Sequence, residues 1–153
     1  MEDGRGPLVL YPAESPTHAL GEVMQAFRGR MVGDAHLRRH GYPLALVQVS
    51  VETAATGIAD LTRPAVLARL RLRPDVLASH DRRRTQAAAR AVHAAGYAGL
   101  RWWSALMGEW HGLVLFLDRV ATRALRYGAP EPVTTESLAL RDAARVLGIR
   151  VRP

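Results

Sequence analysis

"LVLYPAESPTHALGEV", residues 8 to 23, places a strand, a turn and a helix start in one short span. "LVLYP" reads as a short buried strand, with Leu, Val and Tyr in a row. Ser15-Pro16 then opens a helix. The Ser hydroxyl can cap it, and Pro fits the first helical position, where its missing N–H costs nothing. Ala19, Leu20, Val23, Met24 and Phe27 follow at helical spacing, and Gly29 fits the exit. Two polar groups need a reason. Tyr11 ends the apolar run, and Glu22 sits inside the helix stripe between Leu20 and Val23. A carboxylate there either turns to solvent from the flank of the stripe or faces a ligand.

Working outward, residues 30 to 43, "RMVGDAHLRRHGYP", read as a polar, basic loop with one helical turn. "PLALVQVSV" (43 to 51) reads as the clearest strand, with Leu44, Leu46, Val47, Val49 and Val51 inward and Gln48 and Ser50 outward. "DLTRPAVLARLRL" (60 to 72) holds a short helix starting near Thr62, with Pro64 in its first turn. "RTQAAARAVHAAG" (84 to 96) is a strong helix, rich in the best helix former and closed by Gly96. "AGLRWW" and "GLVLFLD" are strands joined by a turn near Gly108, and "RVATRALRY" is a further strand candidate. After the Pro-rich break "GAPEPV", residues 134 to 148 form an amphipathic helix with Thr134 as cap, Glu136 in the first turn and Gly148 as stop. Strands and helices mix without strict alternation. The fold class expected is therefore α+β, a mixed, mainly antiparallel sheet with packed helices.

The chain has 153 residues, the size of one domain with a real core. It has no apolar run of membrane-spanning length. "MEDGRGP" is acidic and Gly-rich and does not read as a signal peptide, and there is no cysteine for a disulfide framework. A cytoplasmic location is expected. The net charge is +7, carried entirely by Arg, without Lys. Arg suits phosphate and carboxylate forks, so nucleic acid, nucleotide or an acidic partner all fit the charge. "HDRRRTQ" (80 to 86) reads as a solvated helix start, and Trp102 and Trp103 read as core and interface.

No metal-ligand spacing is present. His36 and His40 are four apart but have no third ligand nearby. There is neither a Gly-rich phosphate loop nor a G-x-S-x-G elbow. What remains is a set of isolated polar residues at the ends of apolar elements: Arg5, Tyr11, Glu22, Thr85, Gln86 and Ser104. Thr85 and Gln86 read first as a helix-cap pair.

Three motifs resemble the RES domain family in order, and all of these residues except Arg5 lie in the first two. The first is "LVLYPAESPTHALGEV". The second is "TQAAARAVHAAGYAGLRWWSA", a Thr-Gln helix leading through Gly into a strand that ends on Ser. The third is "GLVLFLDRV", and "PLALVQVSVETAATGIADLTRP" fits the middle. The resemblance spans roughly residues 5 to 120. It implies a fold similar to the ADP-ribosyltransferases. It also implies a toxin that degrades NAD by hydrolysis or phosphorolysis of the nicotinamide–ribose bond, neutralised by an Xre-type helix-turn-helix antitoxin. Tyr11, Glu22 and Ser104 fall on the family's Tyr, Glu and Ser and are expected to converge on one cleft. Arg5, in "DGRGP", is the candidate for the family's first Arg, since the usual Arg-aromatic-Asn-Pro segment is absent. Arg5, Tyr11 and Ser104 are the expected NAD contacts, and His111 stands near a position where the family often has Asn.

The resemblance implies NAD as substrate and phosphate as a candidate co-substrate, with no bound cofactor and no metal. A RES-like domain over residues 1–128 and a C-terminal helical extension over 129–153 packing on it are the expected organisation. A homodimer is expected from a sheet edge left open at the short front and from "LRWWSALMGEW". No membrane contact is expected, and no nucleic acid except through the antitoxin. Two alternatives stand beside this reading: a catalytically impaired RES-like interaction module, and a basic nucleic-acid-binding domain. The second lacks a helix-turn-helix signature and a convincing stacking platform.

Overall fold

The computed structural model describes residues 8–52, 57–79 and 81–152. In chain order the strands are β1 (Val9–Leu10), β2 (Met31–Val32), β3 (Arg38–Arg39), β4 (Tyr42–Pro43), β5 (Ala45–Leu46), β6 (Val49–Val51), β7 (Ile58–Asp60), β8 (Gly99–Trp103), β9 (His111–Phe116), β10 (Leu125–Tyr127), β11 (Glu131–Pro132) and β12 (Arg150–Val151). The helices are α1 (Pro16–Met24), α2 (Pro64–Leu70), α3 (Pro74–Leu77), α4 (Arg82–Ala94) and α5 (Leu138–Leu147). The fold class is α+β, as expected. The chain divides into two compact units, residues 1–12 with 50–126 and residues 13–49 with 127–153. Residues 129–153 thus share the second unit with residues 13–49.

The first unit is built on a four-stranded mixed sheet, in the order β1-β9-β8-β7. β9 pairs antiparallel with both β1 and β8, and β7 pairs parallel with β8. A parallel pair needs a crossover, and α2, α3 and α4 supply it. Ala88 and Val92 of α4 pack with Ala59, Leu100 and Phe116 on one face of the sheet. Leu10, Ile58, Leu113 and Leu115 pack with Ala98, Val120 and Ala124 on the other. Gly99 is required where it stands, because a Cβ there would lie 2.4 Å from the Val114 carbonyl oxygen.

The second unit rests on two helices. Leu20 and Met24 of α1 bury against Leu140, Ala143, Ala144 and Leu147 of α5, with Val32, Leu37, Val133 and Ile149 around them. The small side chains of Ala143 and Ala144 allow a close approach. Three two-stranded ladders complete the unit: β3 with β4, β5 with β11, and parallel β2 with β12.

Several expected elements differ. "PLALVQVSV" is not one strand: it breaks into β5 and β6, and Val47 is 41% exposed. Residues 30–43 are not a plain loop. They form β2, a 3-10 turn over Asp34–His36 and the β3–β4 hairpin. The hairpin turns on His40 and Gly41, both at positive φ (51° and 83°), the conformation of a type I′ turn. β7 falls in "GIADL", which was too short to show a period. α4 starts at Arg82, and its cap is Asp81, whose carboxylate accepts from the Arg83 amide at 2.9 Å. Thr85 and Gln86 are therefore not the cap. The Thr85 hydroxyl donates to the Arg82 carbonyl from within the first turn. α5 starts at Leu138, not at Thr134. The Thr134 amide donates to the Ser137 hydroxyl in a preceding turn, and Glu136 pairs with Arg141. Gly148 ends α5 in the left-handed region, and Gly96, just past α4, also has positive φ.

Candidate functional site

α1 begins as its sequence dictates. Ser15 is extended (φ −144°, ψ 155°), its hydroxyl accepts from the His18 amide at 3.1 Å, and Pro16 follows inside the first turn. The helix is rolled differently from the expected stripe. His18, Leu20, Gly21 and Met24 are buried, while Glu22 and Val23 are exposed. Glu22 is therefore on the flank of the apolar face, not inside it. The buried polar residue of this helix is His18, only 2% exposed.

Glu22 is nevertheless held. Its Oε1 lies 3.1 Å from His18 Nε2, one turn back. Its Oε2 accepts from Gln25 Nε2 at 3.2 Å, and the same amide donates to the Glu22 carbonyl at 2.9 Å. The Glu22 side chain keeps 46% of its surface open. A carboxylate fixed at both oxygens and still exposed can meet a ligand without first losing rotamer freedom. His18 and Gln25 were missed as partners in the sequence. Their spacings to Glu22, four and three residues, are the pairs that face each other on a helix.

Tyr11 and Ser104 belong to the sheet of the first unit. Tyr11 follows β1 and is 69% exposed. Leu10 faces Leu115, and the Pro12 carbonyl accepts from the Leu113 amide at 3.0 Å, so Tyr11 stands level with Val114. Val114 in turn faces Leu100 on β8. Side chains alternate along a strand, so Tyr11, Leu100, Trp102 and Ser104 share one face. With about 3.3 Å per residue along the strand and about 4.8 Å between strands, the two Cα positions are roughly 16 Å apart. They share a face, not a hydrogen bond. Ser104 closes the β8–β9 connection: its amide donates to the Trp110 carbonyl at 2.7 Å, and its hydroxyl accepts from the Leu106 amide at 3.1 Å. Glu22, by contrast, belongs to the second unit.

Arg5 lies outside the described residues. His111 opens β9 opposite Trp103 and is half-buried. His36 Nδ1 accepts from the Gly33 amide, which makes it part of a turn. Among the described residues no group of three or more His, Asp or Glu could hold a metal ion, and no helix is long and apolar enough to cross a membrane. Two surface depressions on the second unit, of about 170 Å³ beside His36 and about 520 Å³ beside Arg141 and Arg145, have none of Tyr11, Glu22 or Ser104 in their walls.

Asp60 is a second ordered carboxylate that sequence reading did not single out. Its Oδ1 accepts from the Thr62 amide at 3.1 Å and hydroxyl at 2.5 Å, and Arg101 Nη1 lies 3.6 Å away. Partial burial works to raise its pKa. The Thr62 bonds and the charges of Arg101 and Arg63 outweigh burial and bring it below the usual 3.8. The "DLT" spacing is the signal that could have found this turn. The network ties the end of β7 to β8.

A family model for the RES domain matches residues 2–141. The chain belongs to the RES domain family. The match runs past residue 120 into α5, farther than the motifs alone reach. No curated protein and no solved structure gives a significant match.

Proposed function

We propose that the protein is a RES-type toxin that degrades NAD by cleaving the bond between nicotinamide and ribose, with water or phosphate as acceptor. The observation that carries this reading is Glu22, the residue at the family's Glu position, held at both oxygens yet nearly half exposed. Cleavage of a glycosidic bond to a good leaving group passes through an oxocarbenium-like state. A fixed carboxylate stabilises that positive charge and can hold ribose hydroxyls. The nicotinamide leaves with the electrons of the broken bond and loses its positive charge, so no strong general acid is needed. Water then gives ADP-ribose and a proton, and phosphate gives the 1-phosphate. Tyr11, Ser104 and Arg5 stay as proposed ligand contacts through their match to family positions. An Xre-type helix-turn-helix antitoxin, a homodimer and a cytoplasmic location belong to the same proposal.

The test is NAD consumption by the purified chain, with and without phosphate, beside Glu22→Ala. Removing one preorganised electrostatic contact costs about 100-fold or more in rate, and a loss of that size is expected. Robust turnover that survives Glu22→Ala would overturn the mechanism. No NAD loss under either condition would overturn the activity and favour an interaction module.

A further inference from the structure

We propose that His18 is a positioning residue for Glu22: its buried imidazole fixes one carboxylate oxygen, so that the exposed side of the carboxylate is presented in a single orientation. The proposal rests on the reading of Glu22 as the group that acts on ribose.

An imidazole is polar, and burying it is unfavourable unless its N–H finds a partner. In α1 a residue of this kind stands between the helix and the core, at 2% exposure, while the carboxylate one turn on is at the surface. The backbone at His18 is itself fixed, because its amide is the one that caps on Ser15. An ionised carboxylate only accepts hydrogen bonds. Opposite an ionised Glu22, Nε2 at 3.1 Å from Oε1 carries a proton and donates it to that oxygen. A histidine ring has two side-chain torsions, both immobilised by burial. It is a stiffer partner than the exposed Gln25 amide that holds the other oxygen.

The two clamps are thus unequal. Gln25 and Glu22 lie at the surface and can rearrange together, so losing Gln25 leaves Oε1 anchored on a rigid ring. Losing His18 removes the buried partner of Oε1. A wrongly placed group can cost about 100-fold in rate for a displacement near 1 Å. The larger penalty belongs to His18, and it falls on kcat, because orientation matters most where charge develops.

The experiment measures kcat and KM for NAD in the full chain and in His18→Leu, His18→Gln and Gln25→Ala, with circular dichroism to confirm folding. Leu keeps the apolar contacts, and Gln restores an N–H donor close to the position of Nε2. Expected is a fall in kcat of about 10- to 100-fold in His18→Leu with KM little changed, most of it recovered in His18→Gln, and a smaller loss in Gln25→Ala. Unchanged kcat in His18→Leu, or equal losses in His18→Leu and His18→Gln, overturns the proposal. A second arm does not depend on turnover. Nitrogen-15 spectra of the histidine rings should show His18 locked with the proton on Nε2 in the wild type and released in Glu22→Ala. Ring signals that ignore Glu22→Ala overturn the clamp. If the wild type consumes no NAD, the functional reading fails and the catalytic role of His18 fails with it, while the nitrogen-15 arm still decides the clamp.

Discussion

The two units hold their functional candidates in different ways. In the first, β8 and β9 are five and six residues long and share a continuous ladder, so Ser104 is placed by backbone register, while Tyr11 follows the two-residue β1 that pairs with β9. In the second, β2, β3, β4, β5, β11 and β12 are two residues each, and the packing of α1 against α5 provides the core. Register cannot orient a side chain on a helix flank. Glu22 is held instead through side chains, among them His18 and Gln25. A sheet places a residue through many shared bonds and tolerates the loss of one. A side-chain clamp has only its own few contacts, so single substitutions should act on it directly.

Emptying each core in turn has the largest expected effect. Phe116 is 1% exposed and Leu140 is fully buried. Phe116→Ala should cost about 3–5 kcal/mol and Leu140→Ala about 2–5 kcal/mol, from lost burial and the cavity left behind. All three Trp lie in the first unit, so Trp fluorescence reads that unit in a denaturant titration. Far-ultraviolet circular dichroism follows the helices. A Leu140→Ala cost below about 1 kcal/mol would show that α1 and α5 do not carry the second unit.

The same contrast explains what could be read from the sequence. "AGLRWW" and "GLVLFLD" are continuous apolar runs of strand length, and they became β8 and β9. The helix from Ser15-Pro16 was legible because its cap chemistry is local. Strands of two residues show no period, so most of the second unit was invisible. "PLALVQVSV" misled because its alternation runs across a change of partner. The Leu44 amide bonds Leu37, β5 pairs with β11, and the Gln48 carbonyl accepts from Gly128. For the site, Glu22 was found as an anomaly, but its environment was inverted. The sequence showed a carboxylate among apolar neighbours. Only the roll of α1 reveals that His18 is the buried polar group and Glu22 the exposed one.

Within the first unit, two glycines on paired strands separate packing from conformational freedom. At Gly99 a Cβ would also meet Ile58 at 2.9 Å and Leu115 at 3.2 Å, whereas at Gly112 nothing lies within 4 Å. Gly99→Ala forces strands apart and should cost about 1–3 kcal/mol, the range for overpacking. Gly112→Ala should be neutral, or stabilising by about 0.4–1 kcal/mol, because it only restricts the unfolded chain. Thermal unfolding of the two variants makes the comparison. Equal midpoints would mean that the β8–β9 ladder is loose enough to absorb a methyl group, and that register constrains Ser104 only weakly.

The smallest effect tests whether the sheet unit also uses a side-chain clamp. Asp60 has a folded pKa below the ordinary 3.8, held down against partial burial by Thr62, Arg101 and Arg63. A carboxylate whose pKa is depressed on folding contributes stability that is present above its unfolded pKa. That contribution is lost as pH falls through the folded pKa. Asp60→Asn should therefore be less stable than the wild type at pH 7, by about 1 kcal/mol or less for so exposed a group. The difference should shrink below pH of about 4 and vanish where Asp60 itself protonates. Thr62→Val removes the hydroxyl donor and leaves the amide, so it should raise the Asp60 pKa and lose part of that pH dependence. The check is a set of denaturant titrations from pH 7 down to the acid transition, with the carboxyl carbon of Asp60 followed by NMR. A gap that stays constant with pH would mean that Asp60 acts through packing.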